Sequence, residues 1–231
     1  MRFRSMIVAS AAICGLATAA HATKTIDVTY VSMNNPAVVT LSAPGLNEEV
    51  YDSAILFTTK SGSTIPVFCV DIWHEINLGP ANITFEEKPV TTDSSGSVSG
   101  TGNALSGTQI GEIGGLVDLG TALFRNGDPN LATDLAGIQG AIWSIENPAL
   151  TISGASNVMG SISFYETYAQ SHQSNDFIGL YDVNGAIQGQ SMGVPEPTTW
   201  LLMLLGFSSL GAALRSSRLA QVRIPQRARG R

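Results

Sequence analysis

Cysteine is nearly missing from this chain. Cys14 and Cys69 are the only two in 231 residues, too few for a disulfide scaffold. Histidine is equally scarce: His21, His74 and His172 lack the spacing of a metal site. No Asp-x-Asp-x-Asp-Gly calcium loop occurs either. Neither a metal nor an organic cofactor is therefore expected. Charged residues make up only 13% of the chain against 44% hydrophobic, which excludes a disordered polyampholyte. Positive charge is the most unevenly missing property. Between Thr23 and Gly193 only Lys24, Lys60, Lys88 and Arg125 oppose seventeen acids, a net of −13. A middle this acidic is not expected to bind nucleic acid.

The remaining basic residues sit at the ends. Arg2 and Arg4 precede an uncharged run over 5–20, closed by Ala20-His21-Ala22. A basic start, a short apolar core and small residues two apart describe a secretory signal over 1–22, cleaved before Thr23. A buried N-terminal helix would not require that order. Ile13 before Cys14 is too bulky for lipoprotein processing, so Cys14 is expected to leave with the signal. At the other end, Val194-Pro195-Glu196-Pro197 leads into an apolar stretch over 200–214. Arg215, Arg218, Arg223, Arg227, Arg229 and Arg231 follow it. Fifteen apolar residues make a short transmembrane helix against the roughly 20 that span a bilayer. The arginines would hold the tail in the cytoplasm, whereas a C-terminal core helix leaves them without a role.

This order of motif, short helix and arginine tail over 193–231 closely resembles the PEP-CTERM sorting signal of Gram-negative bacteria. The resemblance implies an exosortase as partner, acting near Val194, Pro195, Glu196 and Pro197, and a producer that secretes exopolysaccharide. It implies transient inner-membrane association through 200–214, then release to the cell surface or extracellular matrix.

The 170 residues of 23–192 are the length of one domain and need no disulfide to hold a core. Alternating or β-branched runs predict strands around Ile26, Val28 and Tyr30, then over 37–41, 54–59 and 65–72, with a further pair at 83–85 and 89–92. A Gly/Ser loop fills 94–102. Ile110, Ile113, Val117 and Phe124 predict a helix over 108–125 despite four glycines. Leu131, Leu135, Ile138, Ile142 and Ile145 form one apolar helical stripe, stopped at Asn147-Pro148. A third helix is expected over 156–171. Asn184-Gly185 between 177–183 and 186–191 predicts a two-residue hairpin. The expected class is α+β: a β-sandwich or barrel with an inserted helical subdomain.

Cys69, left alone in an exported chain, suggests either an intermolecular bridge or a reactive thiol. Among Val67, Phe68 and Val70 it also packs well as a small hydrophobe. Seventy residues on, Gln139 adjoins the apolar stripe between Gly137, Gly140 and Ala141, with Trp143 one turn beyond. A buried amide needs a partner, and a strand backbone would serve. Phe68-Cys69-Val70-Asp71 and Gln139-x-Ala141-Ile142-Trp143 resemble the two signatures of bacterial surface thioester domains. Here Ile138 stands where many members have threonine before the glutamine.

That resemblance implies a Cys69–Gln139 thioester within 23–192, displaced by a protein amine or a polysaccharide hydroxyl in a single-turnover reaction. The chain would then be an adhesion protein of the biofilm and not an enzyme. Phe68 and Trp143 would cover the bond. Asp71, on the Cys69 face by strand alternation, would orient groups or shuttle a proton, unless it is only a turn acid. Two other readings compete: a non-covalent exopolysaccharide or matrix protein with a structural cysteine, and a cysteine hydrolase pairing Cys69 with His74 or His172. His74 lies on the opposite strand parity if the strand continues. The pairs Glu48-Glu49 and Glu86-Glu87 read as solvated faces.

Overall fold

A computed structural model describes residues 24–194, Ser94 and Ser97 excepted. The signal over 1–22, Pro195 to Pro197, the apolar stretch and the arginine tail lie outside the described residues. No helix among the described residues is long and apolar enough to cross a membrane.

Six strands close a barrel in the order β1 (Thr25–Met33), β4 (Ile55–Thr59), β5 (Thr64–Cys69), β9 (Gln190–Gly193), β8 (Phe177–Asp182) and β6 (Gly79–Lys88). Every neighbouring pair is antiparallel. Val28, Val31, Phe57, Val67, Phe85 and Leu180 fill its interior, and the Phe57 and Phe85 rings stack 5.0 Å apart. Closure removes the exposed edges that an open sheet would present. A second sheet of three strands runs β3 (Leu46–Asp52), β2 (Ala37–Ala43), β7 (Thr151–Gly154).

Three helices complete the fold: α1 (Gly107–Asn126), α2 (Leu131–Glu146) and α3 (Ser156–Ser171). All three match the apolar spacing in the sequence. Ser106 caps α1 by accepting from the Gln109 N–H, while the Gln109 side chain returns to the Ser106 N–H, a reciprocal capping box. Gly127, at φ 64°, ends α1 in the left-handed conformation glycine tolerates best. The α2 segment is buried on every side from Leu135 to Trp143. One flank joins Phe68, Val70 and α1, and the other joins Cys69, the small sheet and α3. Gly140 makes this possible, since a side chain there would run into Ile162 of α3.

The expected α+β class with an inserted helical subdomain is corrected. The chain is mostly β, a closed six-stranded barrel with an accessory sheet, and three helices. They form no separate unit because α2 shares its core with both sheets, and β7, between α2 and α3, pairs with β2. β3 and β7 had no counterpart in the strand reading, and 89–92 contributes only an isolated bridge from Thr92 to Ala104.

The tight hairpin is also corrected. Gly185 does turn, at φ 69°, with its N–H on the Asp182 carbonyl at 2.9 Å. Residues 186–189 then leave β8 and bond to the segment after β5: Gln188 N–H to the Glu75 carbonyl, and the Val70 N–H to the Gly189 carbonyl. β9 therefore begins only at Gln190.

Asp52, at the end of β3, is fully buried beside Gly140, and its carboxylate has no hydrogen-bond partner among the described residues. Burial raises its pKa from 3.8 to about 8, so the folded chain holds it neutral. The unfolded chain ionises near its ordinary value, so this stability contribution is full below pH 4 and is lost as pH rises through about 8. Asp52→Asn should raise stability at pH 8 by roughly 3–5 kcal/mol and change it little at pH 4. Urea midpoints at the two pH values measure this, and a midpoint gain equal at both would contradict it.

Candidate functional site

β4 ends its pairing with β5 at Ile55–Val67. Beyond that point the backbone of β5 loses its neighbour on one side, and Cys69 is left with a buried N–H and carbonyl. Gln139 of α2 takes the missing strand's place. Its Oε1 accepts from the Cys69 N–H at 2.8 Å, and its Nε2 donates to the Cys69 carbonyl at 2.9 Å. The amide is completely buried, so these two bonds offset a desolvation cost that would otherwise oppose its position.

The Cys69 thiol is buried and makes no disulfide. It donates to the Asp71 carbonyl at 3.1 Å and receives the Asp71 N–H at 3.3 Å. Burial pushes its pKa well up, and the Asp71 carboxylate adds to this. The Trp143 indole and the Asp71 backbone oppose the rise, and the Glu146 carboxylate adds a last upward push. The balance favours an uncharged sulfur. Trp143 packs in the same cluster as Cys69, and its indole N–H has no conventional acceptor. It lies close enough to the sulfur to oppose the rise in the thiol pKa.

The residues singled out in the sequence thus divide. Cys69, Gln139 and Trp143 meet. Phe68 faces the other way, as strand alternation requires, and packs against α1 at Gly120, so cover of the sulfur falls to Trp143. Asp71 is not on a strand, because β5 stops at Cys69. It is a fully buried turn acid whose carboxylate accepts from the Trp73 N–H at 3.1 Å, the Gly189 N–H at 3.3 Å and His74 Nδ1 at 2.8 Å. His74 therefore pairs with Asp71, and no hydrogen bond joins it to Cys69. His172 stacks on Tyr168 at the end of α3.

The site also includes residues that the sequence did not single out. Gln188 donates to the Asp71 carbonyl at 3.0 Å, and a cavity of about 230 Å³ opens beside Cys69, lined among others by Ile72, His74, Trp143, Gln188, Glu48 and Glu49. The failed hairpin brought Gln188 here, and no local pattern announces such a detour. No group of three or more potential metal ligands occurs among the described residues.

β9 leads out of the barrel, and Val194 follows it with its N–H on the Asp176 carbonyl. There the comparison with known families becomes decisive: the model of the PEP-CTERM protein-sorting motif matches residues 193–218. The chain carries an exosortase sorting signal. It is an exported protein, sorted to the surface of a Gram-negative bacterium, with exosortase as the partner that reads the motif. The matched residues begin at Gly193, the last residue of β9. No curated protein and no solved structure is significantly similar to the chain.

Removing the Gln139 amide should expose its structural share. Gln139→Leu leaves the Cys69 N–H and carbonyl buried without partners and should cost about 2–4 kcal/mol in chemical denaturation. A loss below about 0.5 kcal/mol would contradict the capping role.

Proposed function

We propose that the domain over 23–192 forms a Cys69–Gln139 thioester and captures a nucleophile on a partner covalently, as an adhesion protein at the cell surface or in the extracellular matrix. The observation that carries this reading is the double hydrogen bond between the Gln139 carboxamide and the backbone of Cys69. It fixes the acyl carbon on the residue that owns the nucleophile, which is the positional requirement of such a reaction. The Cys69 N–H on Oε1 polarises the carbonyl and would stabilise the oxyanion formed on attack.

Bond formation proceeds by addition of the Cys69 sulfur to Gln139 Cδ. The C–N bond breaks, and Nε2 leaves as ammonia with the proton from the thiol. The product is a neutral sulfur, and the surroundings that penalise a thiolate carry no such penalty for a thioester. Trp143 covers the bond against water. Each domain reacts once, so it is not an enzyme. Gln190, beside Cys69, and Gly193, where the matched motif begins, stand at opposite ends of β9. Four strand residues separate them by about 10 Å.

A second reading is favoured by the thiol itself, which is buried, bonded to the Asp71 carbonyl and raised in pKa. The same two hydrogen bonds satisfy a structural glutamine capping a strand end, in a non-covalent matrix protein with a packed cysteine. The cysteine hydrolase is the weakest alternative, because the thiol has no histidine partner and a raised pKa.

Methylamine separates the first two. Freshly purified protein should incorporate one methylamine at Gln139 and release one Cys69 thiol, whereas Cys69→Ala and Gln139→Ala should incorporate none. No incorporation, with Cys69 fully titratable on unfolding of untreated protein, would leave the structural reading in its place.

A further inference from the structure

One arrangement beside Cys69 has no part in forming a thioester. His74, whose side chain is 16% exposed, holds Nδ1 at 2.8 Å from Asp71 Oδ2 and 2.9 Å from Oδ1. The carboxylate is buried and fixed by two backbone N–H groups. That carboxylate already accepts two backbone N–H groups, so Nδ1 donates to it, and in the neutral ring Nε2 then carries the lone pair. The ring bonds to Asp71 through Nδ1, and His74 lines the cavity that Cys69 and Trp143 also line. A histidine held by a buried acid through one nitrogen, on a cavity that Cys69 of the thioester also lines, is the arrangement of a general base.

We propose that His74 takes the proton from a hydroxyl nucleophile at this site, so that the target is a neutral polysaccharide hydroxyl and not a protein amine. This rests on the thioester reading. A neutral amine attacks a thioester unaided, whereas an alcohol at neutral pH needs a base to remove its proton as it attacks. The cavity mouth points the same way. Glu48, Glu49 and Glu75 line it with no lysine or arginine, and carboxylates hold an alkyl amine, whose ordinary pKa already lies far above that of imidazole, in its protonated, unreactive form. A hydroxyl carries no charge and escapes this effect. The net charge of −13 between Thr23 and Gly193 further disfavours an acidic polymer.

The step balances without a co-reactant. The alcohol oxygen adds to the Gln139 acyl carbon while its proton passes to His74 Nε2. The oxyanion on Oε1 accepts from the Cys69 N–H. The C–S bond then breaks, and the Cys69 thiolate takes the proton back from the imidazolium. An ester at Gln139 and a free thiol at Cys69 result. Asp71 is a positioning residue, holding the ring and offsetting the charge the imidazolium gains. The same base acts on water, so the ester-forming site also hydrolyses itself slowly.

The test uses the full chain, with thioester content read by intact mass before any nucleophile is added. Glycerol and methylamine are then supplied separately. His74→Gln should keep the thioester, react with glycerol ~100-fold more slowly, hydrolyse more slowly, and react with methylamine at about the wild-type rate. Asp71→Asn should change the glycerol rate in the same direction, and added imidazole should restore it in His74→Ala. Equal glycerol rates in His74→Gln and wild type, or a parallel loss for both nucleophiles, would overturn the proposal. If His74→Gln fails to form the bond, wild type alone decides: glycerol transfer should show a solvent deuterium isotope effect that methylamine transfer lacks, and its absence overturns the proposal. Wild type without a thioester at the outset refutes the underlying reading, which is a different result from a thioester that ignores glycerol.

Discussion

Everything distinctive in this molecule depends on a strand end that outruns its neighbour. β5 continues past the last pairing position of β4, leaving one buried residue whose backbone needs partners that no strand supplies. A side chain from a helix supplies them: Gln139 offers one acceptor and one donor at the spacing of a peptide group. For the amide to reach, α2 must lie between the barrel and the accessory sheet, buried all round, with glycine where α3 crosses it. The residue so capped is the cysteine. A backbone requirement and a possible chemical step are thus met by the same two atoms of one side chain.

The loop after β5 shows the same economy. Asp71 closes the turn that stops the strand, orients His74 and receives the 186–189 segment. By capturing that segment it fixes where β9 starts, and β9 both flanks Cys69 and leads to the sorting signal. One buried carboxylate therefore ties the cavity to the barrel. The unpartnered carboxylate of Asp52 is the opposite case, kept neutral where Asp71 is held by three donors.

The helices were legible because their signals are local. Apolar residues at spacings of three and four, Asn147-Pro148 after α2 and Gly127 after α1 mark each within a residue or two. The pairing of Cys69 with Gln139 was legible as two motifs, although sequence alone could not distinguish a hydrogen bond from a covalent one. What could not be read was decided at a distance. β3 carries Glu48 and Glu49 at exposed positions and lacks a clean alternation, so only its pairing with β2 makes it a strand. The Asn184-Gly185 hairpin obeyed its local rule for four residues and then lost to bonds offered by the 70–75 loop. Asp71 was placed on a strand face because alternation was extended two residues beyond where its own side chain ends the strand. The sorting signal, a linear pattern that exosortase reads, needed no fold to be seen.

On the proposed reading, Cys69 and Gln139, held against each other, become one bond. Intact mass of fresh, unreacted protein tests it most directly, with Cys69→Ala as the reference. The wild-type chain should be lighter than its sequence by one ammonia, and the Cys69→Ala chain should sit at its full calculated mass. A wild-type chain at full mass, carrying one thiol that titrates on unfolding, would contradict it and leave Gln139 as a structural cap on a strand end.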